Sequence, residues 1–73
     1  MQNTYSIFID YEEDTLNFIK THSKNPVKTI EGKYGIEFHQ DINGNTVGIV
    51  IPEPEIVFGV RIEDIESFLL VTF

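Results

Sequence analysis

Cysteine is absent from this chain of 73 residues. Its absence excludes disulfide bonds, zinc sites built from thiolates, and a cysteine nucleophile. Because small secreted domains usually depend on disulfides for their stability, the composition favours a cytoplasmic protein.

Long apolar runs are also missing. The longest extends from Phe68 to Val71, far short of the roughly 20 residues that a membrane-spanning helix needs. The N-terminal residues lack a basic region followed by an apolar core, which is the pattern of a secretory signal. We therefore expect neither a membrane segment nor a signal peptide.

Basic residues are few, since five Lys and Arg oppose twelve Asp and Glu and the formal net charge is -7. Nucleic-acid binding depends on neutralising phosphates with cations, so a direct nucleic-acid ligand is not expected. The acidic balance instead predicts that a charged partner would be a basic protein. Lysines in the middle of the chain lie between two acidic segments: Lys20, Lys24, Lys28 and Lys33, preceded by Asp10, Glu12, Glu13 and Asp14 and followed by Glu53, Glu55, Glu63, Asp64 and Glu66.

A β-hairpin is predicted around Asn43-Gly44, because an Asn-Gly pair between two alternating apolar runs is the strongest local hairpin signal. With these two structural-turn residues as the loop, the apolar residues of both strands fall on one face. Phe38 then serves as a core anchor opposite Ile49. The remaining predicted pairs are Ile42 with Asn45, Gln40 with Val47, and Ile36 with Ile51. A four-residue loop from Ile42 to Asn45 keeps the same pairing, so the turn type stays open.

A second hairpin is predicted near the N-terminus. Residues Tyr5–Tyr11 alternate between apolar and polar, and Thr15–Lys20 reads as the returning strand. This register sets Ile9 opposite Leu16 and Ile7 opposite Phe18. A short strand over Val27–Ile30 and a strand starting at Tyr34 complete the predicted sheet.

The C-terminal part changes its period. Pro52 and Pro54 argue against regular helix or central strand between 52 and 60. Beyond them, Ile62, Ile65, Phe68 and Leu69 follow helical spacing. Residues 68–73 are also compatible with a strand.

Together these elements predict one domain over residues 1–73. Its fold class is α+β, an antiparallel sheet of about four to five short strands (two hairpins) with one C-terminal helix. The sheet covers 5–51, a Pro-rich connection 52–60, and the helix 61–70. The helix is expected to cover one apolar face of the sheet: Ile7, Ile9, Leu16, Phe18, Ile36, Phe38, Ile49 and Ile51.

Several large apolar residues are left without a predicted cover, namely Phe8, Ile19, Val50, Val57 and Phe73. In so small a chain this surplus suggests self-association. Phe8, Ile19, Val50 and Phe73 are the predicted interface residues of a homo-oligomer.

Catalytic and metal-binding patterns are not evident. The Asp41 loop fails the calcium-loop spacing, because position six is Thr46 and position twelve is Pro52. His22 and His39 lack a nucleophile and an orienting acid at a recognisable spacing. The acidic cluster 10–14 lies at a hairpin tip, where water keeps carboxylates ordinary. We therefore predict no catalytic residue, no metal ligand, no cofactor and no enzymatic activity.

The central hairpin resembles the hallmark segment of the small prokaryotic domain-of-unknown-function family 2283. The residues that carry the resemblance are Gly35-Ile36-Glu37-Phe38 followed by Asp41-Ile42-Asn43-Gly44-Asn45-Thr46-Val47-Gly48-Ile49-Val50-Ile51, with Tyr11 to Ile19 upstream. His39 departs from the pattern, as do the Pro-rich joint and the acidic helix after Ile51. The resemblance implies a compact β-rich domain from a bacterium, archaeon or phage, and it implies no activity.

The sequence thus predicts a non-enzymatic, acidic protein–protein interaction module that self-associates. Two alternatives remain open. One is an acidic inhibitor or decoy, such as an antitoxin or anti-defence protein, that masks a basic nucleic-acid-binding site. The other is a metal or small-molecule binder between protomers.

Overall fold

A computed structural model describes the backbone of residues 5–72 and the side chains of residues 5–67. It confirms the α+β class. The elements are β1 (Tyr5–Asp10), β2 (Thr15–Lys20), β3 (Lys28–Glu31), β4 (Glu37–Gln40), β5 (Thr46–Pro52), α1 (Pro54–Phe58) and α2 (Ile62–Thr72), with a 3-10 turn at Lys33–Gly35.

The five strands form one antiparallel sheet in the order β1-β2-β5-β4-β3. Strand β5 therefore joins the β1–β2 hairpin to the β3–β4 hairpin, because it pairs with β2 on one side and with β4 on the other. Because β5 and β4 separate β2 from β3, the connection 21–27 passes the ends of both strands. The Val27 N–H donates to the Gln40 carbonyl at 2.8 Å, which holds the end of this connection to the sheet.

The N-terminal hairpin has the predicted register, with Ile7 opposite Phe18 and Ile9 opposite Leu16. The turn of this hairpin is organised by Asp10, the last residue of β1. One Asp10 carboxylate oxygen accepts the N–H groups of Glu12 and Glu13, both at 3.1 Å. A short acidic side chain that caps its own turn in this way is typical of Asx turns.

The central hairpin keeps the predicted pair of Phe38 and Ile49 but differs at its loop. The predicted pairs Gln40–Val47 and Ile42–Asn45 are wrong, because Gln40 faces Thr46 after a bulge at His39/Gln40. The Asp41 N–H donates to the Asn45 carbonyl at 2.9 Å, which leaves a three-residue loop over 42–44. Gly44 lies at the left-handed position of this loop, with φ 84°, as expected for a type I turn followed by a bulge.

Strand β4 begins later than predicted. The chain from Lys33 to Gly35 forms a 3-10 turn in which Tyr34 has φ 60°. The Ile36 carbonyl accepts the Gly32 N–H at 2.7 Å, so the hairpin between β3 and β4 closes around this turn. The strand signal at Tyr34 was therefore overridden by the local turn.

The expectation that the two prolines exclude a helix or a central strand was wrong, because Pro52 ends the central strand β5 and α1 begins at Pro54. Proline suits the first helical position, where its missing N–H would have no intrahelical partner. Glu53 precedes the helix with φ 46°, and its N–H donates to the Asp14 carbonyl at 2.9 Å. Helix α2 continues to Thr72, so the strand alternative is not adopted over 68–72, while Phe73 lies outside the described residues.

The core lies between the sheet and the two helices. Leu16, Ile51 and Ile65 are its buried centre. Partly buried residues packed against them are Ile7, Ile9, Phe18, Ile36, Ile49, Val57 and Ile62. Val57 was expected to be uncovered and is instead part of this packing. Phe38 is half-buried and lies towards β3, where a Cβ on Gly32 would come within 2.9 Å of its ring.

Candidate binding groove on the open face

The sheet has a second face, opposite the core, which we call the open face. The strand registers place its residues in rows that cross all five strands. One row is Ser6, Ile19, Gly48, His39 and Thr29, and the next is Phe8, Asn17, Val50, Glu37 and Glu31. The buried helix residues of the described chain pack on the other side of the sheet.

Three predicted interface residues lie together on the open face. Phe8 is 44% exposed, Ile19 is 48% exposed and Val50 is half-buried. Ile19 on β2 is the diagonal neighbour of Phe8 on β1 and of Val50 on β5. Large side chains can bridge this spacing. We call these three residues the apolar patch. The fourth predicted residue, Phe73, lies outside the described part of the chain.

His39 lies on the open face of β4, between Gly48 of β5 and Thr29 of the edge strand β3. Its Nδ1 lies 3.0 Å from the Thr29 hydroxyl, and its Nε2 lies 3.7 Å from a Glu37 carboxylate oxygen. The hydroxyl distance is that of a hydrogen bond, whereas the carboxylate distance is longer than one. His39 is therefore paired with Thr29 on the neighbouring strand. It lacks the hydrogen bond to a carboxylate that positions the imidazole of a catalytic histidine.

Sequence reasoning missed this pairing, because Thr29 and His39 lie ten positions apart on different strands. The available signal was Gly48, a glycine inside a strand, which often marks a close approach of another group. A Cβ at Gly48 would lie 3.6 Å from the His39 Cβ and Cδ2 atoms. The histidine ring thus lies beside the glycine backbone of β5.

A groove of about 440 Å³ runs between the open face and the connection 21–27. Its volume is within the range of small-molecule sites. Both histidines and two of the five basic residues of the chain line it. The lining residues are Asn17, Phe18, Ile19, Lys20, His22, Ser23, Lys24, Asn25, Pro26, His39, Val47, Gly48 and Val50.

Asp41 lies next to this region but is committed to the turn. It is only 7% exposed, and one carboxylate oxygen accepts the N–H groups of Asn43 and Asn45 at 2.9 and 3.0 Å. The hydrogen bond from the Asn45 backbone holds the pKa of Asp41 below its usual value, against the opposing effect of burial. The Asn43 amide and the charge of Lys24 act in the same direction.

Acidic residues gather at the opposite end of the strands. The carboxylate of Glu66 raises the pKa of Tyr11, chiefly as a hydrogen-bond acceptor for its hydroxyl, and partial desolvation and the charges of Glu66 and Glu63 act in the same direction. The hairpin tip therefore lies close to Glu63 and Glu66 of α2. We call this region the acidic pole: Asp10, Glu12, Glu13, Asp14, Glu53, Glu63 and Glu66.

Lysines mark the other end. Lys20 ends β2 and Lys28 begins β3, and the groove residue Lys24 lies on the connection between them. The two ends of the sheet are separated by the length of a strand, which is about 17 Å for six residues such as those of β2. The molecule is therefore acidic at one end of its sheet and carries three lysines at the other.

Within the described residues, no three His, Asp or Glu side chains converge to hold a metal ion. None of the helices in the described part of the chain has the length and apolarity needed to cross a bilayer.

Comparison with known proteins found no matching family model, no similar curated protein and no similar solved structure. The resemblance to family 2283 therefore stays a prediction.

Proposed function

We propose that this protein is a non-enzymatic interaction module that self-associates through the open face of its sheet. The observation that carries the proposal is the apolar patch. The helices pack against one face of the sheet, whereas Phe8, Ile19 and Val50 on the other remain accessible to solvent. Covering such a patch is favourable by about 25 cal/mol per Å² of apolar surface removed from water.

The two edges of the sheet support contact on the β1 side. Edge strand β3 is short and is flanked or occupied by Pro26, Lys28 and Glu31, which are features that discourage edge-to-edge pairing. Edge strand β1 has six residues and includes Phe8, with neither lysine nor proline. A second copy is therefore better accommodated at β1 than at β3.

Sedimentation of the pure protein tests self-association directly. We expect a species larger than the 8.4 kDa monomer at micromolar concentration. Phe8→Thr should shift the protein to monomer, since threonine keeps the strand preference and removes the aromatic contact. Tyr5→Thr is the matched control, because Tyr5 is a similarly exposed aromatic on the same strand and points to the opposite face.

A monomer at high concentration in the parent protein would contradict the proposal. Equal loss of association in both variants would also contradict it, because the open face would then have no special role.

The acidic pole favours a second candidate function, recognition of a basic protein. Its carboxylates come from the hairpin tip, from Glu53 and from α2, and they are brought together only by the fold. An acidic surface of this kind attracts a basic partner and could mask its nucleic-acid-binding site.

Pull-down from host lysate at low salt and near 0.5 M salt tests this function, because 0.5 M salt shortens the electrostatic range to roughly 4–5 Å. A basic partner that is lost at high salt, and lost with Glu63→Lys but retained with Glu31→Lys, supports recognition by the acidic pole. Glu31 is the control because it is exposed on β3, at the other edge of the sheet from the hairpin tip. A partner retained at high salt points to the apolar patch.

We also propose that the chain is a prokaryotic cytoplasmic protein related to family 2283. The support is the hairpin pattern around Asn43-Gly44 and the absence of cysteine.

A further inference from the structure

We propose that the groove between the open face and the connection 21–27 binds a small anion with an apolar body, of the class of medium-chain or aromatic carboxylates. The groove shares Ile19 and Val50 with the apolar patch, so a ligand bound there would compete with a second copy of the chain for these two residues. The proposal names a ligand chemistry for a site that the sequence did not reveal.

The charge of the groove carries the first part of the argument. Although the chain has twelve acidic and five basic residues, the described lining contains two lysines and two histidines and no carboxylate. Two carboxylates come close to it. Asp41 is held by the amides of its own turn, and Glu37 lies beside the far nitrogen of His39.

The groove also contains hydrogen-bond donors that are available to a ligand. Ser23 donates its hydroxyl to the Lys20 carbonyl at 2.7 Å, and Asn17 donates its amide to Thr15. In the described structure the exposed side chains of His22, Lys24 and Asn25 make neither a hydrogen bond nor an ion pair within 4 Å, and Lys24 interacts only at longer range with Asp41. A carboxylate in the groove would give them a partner.

The bottom of the groove, which we call its floor, is apolar. Ile19 and Val50 lie on the open face, and Gly48 lies directly opposite Ile19 and two residues before Val50 on β5. The lack of a side chain at Gly48 keeps this floor low. Cationic groups along one wall and aliphatic groups on the floor match a ligand that has a charged head and an apolar body.

Octanoate is the probe, with octanamide as the uncharged analogue and inorganic phosphate as the anion without an apolar body. Titration followed by amide NMR shifts should give saturable binding of octanoate, with shifts confined to residues 19–26 and 47–50 and to His39. Octanamide and phosphate should each bind more weakly.

Lys24→Glu should weaken octanoate binding by at least about fivefold, because it replaces an attraction with a repulsion of similar size. Lys33→Glu is the matched control. It makes the same charge change on the 3-10 turn outside the groove, and binding should be nearly unchanged.

The proposal would be overturned by octanoate that does not saturate, by octanamide or phosphate that binds as well as octanoate, or by equal weakening in Lys33→Glu. Shifts centred elsewhere would do the same, and this measurement on the parent protein does not require a variant to fold.

Sedimentation of the same variants separates this proposal from self-association. Phe8 is not a lining residue, so Phe8→Thr should lose association and keep octanoate binding. Lys24→Glu should weaken octanoate binding and keep association. If Lys24→Glu also abolished association, the groove would belong to the interface between copies and the ligand site would be disproved.

Discussion

Two residues of the central loop, Asp41 and Gly44, set its geometry at the residue scale. Gly44 adopts φ 84° with open space around its Cβ position, so a side chain there would suffer from backbone strain and not from a clash. Asp41 closes the same loop with two backbone amides. The sequence motif identified the glycine correctly, but it did not reveal that Asp41 would shorten the loop to three residues.

Gly44→Ala should lower the free energy of unfolding by about 1 kcal/mol, because alanine disfavours positive φ. Gly44→Asn is the matched control and should lose less, since asparagine tolerates the left-handed region. Urea denaturation measures both variants. An alanine variant as stable as the parent would show that the loop does not need this conformation.

Asp41 should make stability depend on acid pH. Its pKa is lowered in the folded protein, so its contribution is present above the ordinary value of 3.8 and is lost as pH falls through the lower folded value. Thermal melts between pH 5 and pH 2 should show this loss in the parent. In Asp41→Asn that part of the pH dependence should be missing, and a variant with an unchanged acid profile would contradict the assignment.

At the scale of elements, the sequence predicted the hairpins, because their registers are determined by neighbouring residues and turns. Alternation of apolar residues located both hairpins, and the pairs Ile9–Leu16 and Phe38–Ile49 were confirmed. The pairing of β2 with β5 was not predicted, since it joins segments that are distant in sequence and no turn motif specifies it. The groove was missed for the same reason, because it depends on how the connection 21–27 passes the ends of β5 and β4.

The core should respond to truncation in proportion to burial. Leu16 is 3% exposed, so Leu16→Ala should cost about 2–5 kcal/mol. Phe38 is half-buried and lies outside the central cluster, so Phe38→Ala should cost less than the roughly 3–5 kcal/mol typical of a buried phenylalanine. Chemical denaturation ranks the two variants, and a larger loss for Phe38→Ala would move the centre of the core towards β3.

At the scale of the whole molecule, charge is separated along the sheet. The acidic pole and the lysines of the groove end lie at opposite ends of the strands. Composition predicted the net charge but not this separation, because the acidic residues of the hairpin tip and of α2 meet only in the folded chain.

Direct binding to DNA or RNA should be absent at physiological salt. The net charge is -7, and three lysines at one end offer too few contacts to neutralise several phosphates. Fluorescence anisotropy with a labelled duplex and a labelled single strand measures this. Specific retention by the pure protein would contradict both the electrostatic argument and the proposed function.

The position of β5 has a consequence for synthesis on the ribosome. The β1–β2 and β3–β4 hairpins are complete once residue 40 has emerged, but each is a two-stranded unit, and such units are marginally stable in water. Their union must wait for Thr46–Pro52, because β5 pairs with β2 on one side and β4 on the other. Until then β2 and β4 each present an unpaired edge, so a nascent chain that stalls before Pro52 should be the species most exposed to aggregation and proteolysis.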